Sequence, residues 1–130
     1  MYLLDTDFLI AVLKRNPQVK ELLQELEGDG VQATTIFNAQ ELLFGASLTK
    51  RSGENTKKAL EFLSQFNLLN YDVESMRETV EIKKRLRKTG EPIGVTDERI
   101  AGIAMRNQAV ILTRNLKHFN RIPGLKTKSW

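Results

Sequence analysis

Residues 1–14 read MYLLDTDFLIAVLK. Residues 2–5 form a short apolar run that closes on a carboxylate, which is the reading of a buried strand ending in acid. The apolar residues that follow suit a helix through Leu13, with Thr6 or Asp7 expected as its cap. A strand that delivers Asp5 to the mouth of a helix places that carboxylate at the edge of a sheet, where α/β folds build their sites.

The same alternation continues along the chain. Asn16-Pro17 supplies a cap residue and then proline at the first helical position. Val19, Leu22, Leu23 and Leu26 give that helix its apolar stripe, and Gly28 closes it. Residues 31–34 suggest a second strand and 35–48 a helix. Ser52 opens another helix, with Ala59, Phe62, Leu63 and Phe66 on one face. Residues 68–71 suggest a strand, and 74–88 a helix stopped by Gly90. Pro92 and Gly94 mark a loop, Thr96 or Asp97 starts a helix to residue 107, and AVILT at 109–113 is a buried strand. Loop follows, with an edge strand at 125–128. Strands alternating with amphipathic helices indicate an α/β fold with a mostly parallel central sheet.

Four polar positions stand out against this frame. Asp5 follows Leu3-Leu4, where a charge gains little unless something pairs with it. Glu41 shares a helix face with Phe37, Phe44 and Leu48 at spacings of three and four, so a carboxylate is expected inside an apolar stripe. Asp97 begins the helix that carries Ile100, Ala101 and Ala104. Asn115 follows the 109–113 strand by one residue and shares the sheet edge with Asp5. Asp7 reads as a helix cap. With no cysteine and one histidine, such oxygen donors favour Mg²⁺ or Mn²⁺ over zinc, and carboxylates with metal suit phosphodiester cleavage.

Composition narrows the rest. The 130 residues fit one domain, and 41% hydrophobic with 28% charged residues is an ordinary globular balance. The lack of cysteine excludes disulfides and a thiol nucleophile and is compatible with a cytoplasmic setting. Two aspartates interrupt the first apolar run, so it is not a secretory signal, and no stretch suits a membrane. Residues 1–80 hold 8 Lys/Arg against 12 Asp/Glu, and residues 81–130 hold 12 against 4. That asymmetry points to a basic surface facing a polyanion, or to a solvated helix face at Lys83, Lys84, Arg85, Arg87 and Lys88.

Together these segments resemble the PIN domain and, within it, the VapC-type toxins of prokaryotic toxin–antitoxin pairs. YLLDTDFLI is similar to the family's first motif, TTIFNAQELLFGA to the second, GEPIGVTDERIAGIAM to the third and AVILTRNLKHFNRIPGL to the fourth. The resemblance covers essentially the whole chain in family order. It implies a Rossmann-like three-layer α/β/α fold, Mg²⁺-dependent hydrolysis of RNA by a metal-activated water, a homodimer and an antitoxin partner. Asp5, Glu41 and Asp97 fall on the family's acidic, metal-holding positions, and Asn115 on a fourth that is Asp in some members. Thr6 and Thr113 match polar positions lining the same site. Asp7 departs from the usual Asn or Ser and offers a further negative charge. Arg114, Lys117 and His118 flank Asn115 as candidates for RNA phosphate contacts. The antitoxin is expected to lay an amphipathic segment into an apolar groove; Leu22, Leu23, Leu26 and Phe62 are candidate lining, although core packing is the more ordinary fate of each.

Two other readings compete. Asp5-Thr6-Asp7-Phe8-Leu9 nearly matches the motif of haloacid-dehalogenase-type phosphatases, with Asp5 as nucleophile and Asp7 as general acid. Leu9 stands where Thr or Val is wanted, and no late acidic pair follows the 109–113 strand. A non-catalytic RNA- or antitoxin-binding module on the same fold is the other reading. Intact Asp5, Glu41 and Asp97 count against it, and Asn115 leaves it open.

Overall fold

A computed structural model describes residues 1–130. β1 (Tyr2–Leu4) leads into α1 (Thr6–Leu13) and α2 (Pro17–Glu27), and β2 (Ala33–Thr35) into α3 (Ile36–Ser47) and α4 (Ser52–Leu63). β3 (Asn67–Leu69) is followed by α5 (Val73–Thr89) and α6 (Val95–Asn107), then β4 (Val110–Leu112), α7 (Leu116–Phe119) and β5 (Lys126–Lys128). The strands form one sheet in the order β3-β2-β1-β4-β5. Every pairing is parallel, so the sheet expected to be mostly parallel is wholly so.

Neighbouring side chains on the central strands serve opposite faces, as the two-residue period of a strand requires. Leu3 and Ile111 pack with Ile82, Leu86, Ile100 and Ile103 from α5 and α6. Leu4 and Leu112 pack with Phe8 and Leu9 of α1, Val19 and Leu26 of α2, Leu42 of α3 and Phe62 of α4. Two apolar cores on one sheet make the three-layer α/β/α arrangement. β1 sits where the chain changes sides: helices α1 to α4 cover one face, and α5 to α7 the other. The crevice beyond the carboxyl ends of β1 and β4 is thus the topological switch point, where such sheets place ligands.

Local signals explain the helix ends. Asn16 accepts a hydrogen bond from Gln18 N at 3.1 Å, and Asp72 accepts one from Ser75 N at 2.8 Å. Gly90 ends α5 with φ of 68°, in the left-handed region that suits glycine. No helix is long and apolar enough to cross a membrane.

Several expectations are corrected. The cap of α1 is neither Thr6 nor Asp7 but Asp5, whose Oδ1 accepts from Thr6 N at 2.9 Å. β1 stops one residue before the acid, which frees Asp5 to cap. β2 starts at Ala33 rather than Val31. Gln32 turns its side chain inward, accepting from Tyr2 N and donating to Gly30 O, and leaves Val31 exposed. β3 ends at Leu69, and α6 begins at Val95, so Asp97 lies inside its first turn. α7 was not expected at all. Leu26 and Phe62 are buried and Leu22 and Leu23 pack against the same core, the more ordinary fate expected of them; Leu23 alone also lines a small open cavity, with Val31 and Phe66. The basic residues at 83–88 are exposed on α5, with Leu86 among them buried, and Lys83 pairs with Glu98 at 3.2 Å.

Candidate active site

Asp5 follows β1 and Thr113 follows β4, adjacent strands joined by a hydrogen bond from Asp5 N to Leu112 O at 3.2 Å. The Thr113 hydroxyl, fully buried, donates to Asp5 Oδ2 at 2.6 Å. Asp5 Oδ1 accepts from Thr6 N and from Asn38 Nδ2, both at 2.9 Å. Three donors therefore hold one carboxylate. Thr113 Oγ1 in turn accepts from Asn115 N at 2.9 Å, which shapes the turn after β4.

Asn38 is a site residue that the pattern of the sequence did not reveal. It is fully buried on α3, and its amide also donates to Thr6 Oγ1 at 3.0 Å. Thr6 Oγ1 then donates to Glu41 Oε2 at 2.8 Å. Thr35 fixes Asn38 from below, as the cap of α3 and by donating to Asn38 Oδ1 at 2.6 Å. The spacing Thr35-x-x-Asn38 is the one available signal, since a cap hydroxyl reaches the residue three positions on.

Glu41 corrects the expectation of a buried carboxylate. Its face of α3 is the open one: Glu41 is exposed, Phe44 is 63% exposed and Leu48 71%. Ala39 and Leu42 take the core side. Glu41 reaches the site from the rim, guided by Thr6.

Asp97 is held from the other side. His118 Nδ1 lies 2.8 Å from Asp97 Oδ2, and Asn115 Nδ2 donates to the same oxygen at 3.2 Å. His118, expected as a phosphate contact, is thus engaged with Asp97. Lys117 is exposed on α7 and does not line the site. Arg114 does line it.

A cavity of about 380 Å³ gathers Asp5, Thr6, Asp7, Glu41, Asp97, Arg114 and Asn115, with no hydrophobic residue among them. Asp7 faces this cavity from the first turn of α1. Burial pushes the Asp5 carboxyl above the usual carboxylate range; the hydrogen bonds from Thr113 and Thr6 pull it down, and Asp7 and Asp97 push it up again. Four carboxylates around one cavity, with the Thr6 hydroxyl and the Asn115 amide beside them, supply the hard oxygen donors that could hold a divalent cation. As arranged, no three of the Asp, Glu or His side chains converge tightly enough to ligate one ion.

A second cavity, of about 630 Å³, opens beside the first. Ile10 and Leu13 of α1, Leu42 and Phe44 of α3 and Ala59 of α4 line it, and it meets the acidic site at Thr6 and Glu41.

Comparison with known proteins places these features in context. The family model described as PIN domain matches residues 2–125. The tRNA(fMet)-specific endonuclease VapC of Shigella flexneri is 30% identical over 130 residues, covering 99% of this chain and 97% of that protein. The crystal structure of VapBC2 from Rickettsia felis bound to a DNA fragment from their promoter superposes with a TM-score of 0.91 at 28% identity, covering 99% and 98% of the two chains. A toxin–antitoxin complex from Klebsiella pneumoniae is similar with a TM-score of 0.74 at 25% identity, covering 96% and 95%.

Proposed function

The chain belongs to the PIN-domain family, among its VapC-type members, and from that membership we propose that it is a Mg²⁺-dependent ribonuclease, the toxin of a toxin–antitoxin pair. One observation carries the reading: four carboxylates and one unpaired guanidinium share a polar cavity at the switch point of a parallel sheet. Asp5 and Asp97, with Glu41, would hold Mg²⁺ or Mn²⁺, directly or through water. Bound there, such an ion lowers the pKa of a water and neutralises phosphate charge.

The chain's own groups divide the remaining work. Asp5 is fixed by Thr6, Asn38 and Thr113. Asn115 and His118 orient Asp97 through its Oδ2 and leave Oδ1 without a side-chain partner. Asn115 carries no charge, so its part is to steer Asp97 and the turn rather than to add to the acidity. Glu41 Oε1 accepts no hydrogen bond and lies at the open rim, which suits it to take a proton from the attacking water. Asp7 adds the fourth negative charge. Arg114 meets the phosphate.

Partners follow from the surface. An amphipathic segment of an antitoxin fits the 630 Å³ groove between α1, α3 and α4, and a cationic side chain entering at Glu41 would compete with metal. Homodimerisation rests on family membership, and the uncovered Val73, Met76 and Val80 along α5 suit it. Neither phosphatase chemistry nor a purely binding role has an observation that favours it. The experiment is cleavage of purified transfer RNA with Mg²⁺ and with EDTA. Products only with Mg²⁺ support the reading, and no products from any RNA would leave a binding module.

A further inference from the structure

Arg114 lines a cavity with four carboxylates, yet it pairs with no Asp or Glu side chain. A long cationic side chain free to move would fold onto the nearest acid. Something holds it away. The Arg114 guanidinium carbon lies 3.7 Å from the centroid of the Trp130 ring, and Arg114 Nε donates to Trp130 O at 3.4 Å. Trp130 is itself anchored, edge to face against Phe8 at 5.3 Å and 82°, and Phe8 is fully buried beneath it.

We propose that Trp130 is a positioning residue for RNA: its indole face holds Arg114 at the lip of the acidic cavity, clear of the carboxylates, as a prepared phosphate contact. This rests on the ribonuclease reading above. Stacking uses the flat face of a guanidinium and leaves its in-plane donors at the edge. Here only Nε is engaged, so both Nη nitrogens remain for a phosphate, which a guanidinium can grip with two parallel hydrogen bonds. The arrangement also resolves a conflict of charge. An arginine collapsed onto Asp5 or Asp7 would cancel the negative field that a cation needs. Pinned on Trp130, it serves the anion while the acids serve the cation.

The test uses binding without cleavage. Trp130 is the single tryptophan of the chain, so its emission reports on the stack directly. Unfractionated transfer RNA is titrated in EDTA into the wild type, Trp130→Leu, Trp130→Phe, Arg114→Ala and the Trp130→Leu/Arg114→Ala pair. Trp130→Leu should weaken RNA binding roughly three- to thirtyfold, the range of a cation–π contact, with Trp130→Phe recovering part of it. In the Arg114→Ala background the Trp130→Leu change should add nothing. Wild-type emission should change on RNA addition, and Arg114→Ala emission should not. Equal losses from Trp130→Leu with and without Arg114 would make Trp130 merely structural and overturn the proposal. If Trp130→Leu does not fold, the emission arm decides, and an unresponsive wild type overturns it. Wild-type protein that cleaves RNA while Trp130→Leu binds it normally sinks this proposal alone; wild-type protein that neither binds nor cleaves RNA sinks the ribonuclease reading with it.

Discussion

Thr113 Oγ1 donates to Asp5 Oδ2 at 2.6 Å, tying together residues 108 positions apart at the ends of two adjacent strands. Thr113 is fully buried and Asp5 half-buried, so losing the bond takes from Asp5 Oδ2 its one protein donor. Thr113→Val should cost about 1–3 kcal/mol of stability, the penalty of an unsatisfied buried group. It should also raise the Asp5 pKa further, because this hydrogen bond lowers it. The acid limb of the pH–rate profile should then move to higher pH, and Thr113→Ser should restore it. Denaturant melts and pH profiles of the two variants check this.

Asp5 itself is held at a cost. Its folded pKa lies above the ordinary value, chiefly through burial. A group raised in this way favours the fold below its unfolded pKa, and that contribution is lost as pH rises through the folded value. At neutral pH the ionised Asp5 therefore weakens the fold. Asp5→Asn should leave stability at pH 7 unchanged or higher, while cleavage falls at least about a hundredfold. Thermal melts beside RNA cleavage rates decide it; a less stable but active variant would reverse both halves.

Gly102 tests the packing of α5 on α6. A methyl group there would meet Ser75 O at 2.7 Å and press on Thr79 Oγ1. Helix propensity alone makes Gly→Ala favourable by about 1 kcal/mol. Thr79 cannot yield easily, because its hydroxyl donates to Ser75 O at 2.8 Å. Overpacking should win, and Gly102→Ala should destabilise by about 1–3 kcal/mol. Activity per folded molecule should persist. A stabilised variant would mean that the two helices separate readily.

Arg114 and Lys117 differ in placement, and salt should tell them apart. Only Arg114 lines the acidic cavity. Arg114→Ala should lower the slope of log Kd for RNA against log salt by about one, and Lys117→Ala should change it little. Binding measured across a range of KCl provides the comparison. Equal changes would place the RNA along α7 instead.

Much of this was legible from the sequence because apolar runs of three or four residues between amphipathic helices leave few other arrangements. That pattern places Asp5 and Thr113 at the carboxyl ends of their strands to within one residue. Other features were hidden for particular reasons. The Phe37, Glu41, Phe44 and Leu48 face repeats as a core face does, but periodicity reports that a face is apolar, not what covers it. Smaller side chains, Ala39 among them, took the buried side of α3. Asn38 is not legible because a polar residue in a helix reads as surface, and its three partners, Thr35, Asp5 and Thr6, come from other parts of the fold. α7 has four residues, too few to display a helical period. Asp7 was misread as a cap because the strand before it ends one residue earlier than its apolar run suggested.

Calorimetric titration of Mn²⁺ and Mg²⁺ into the wild type, Asp97→Asn and Asp5→Asn tests most directly whether the clustered acids bind a cation. The account predicts saturable binding to the wild type and its loss in both variants, each still folded by circular dichroism. Undiminished binding to folded Asp97→Asn and Asp5→Asn would contradict it.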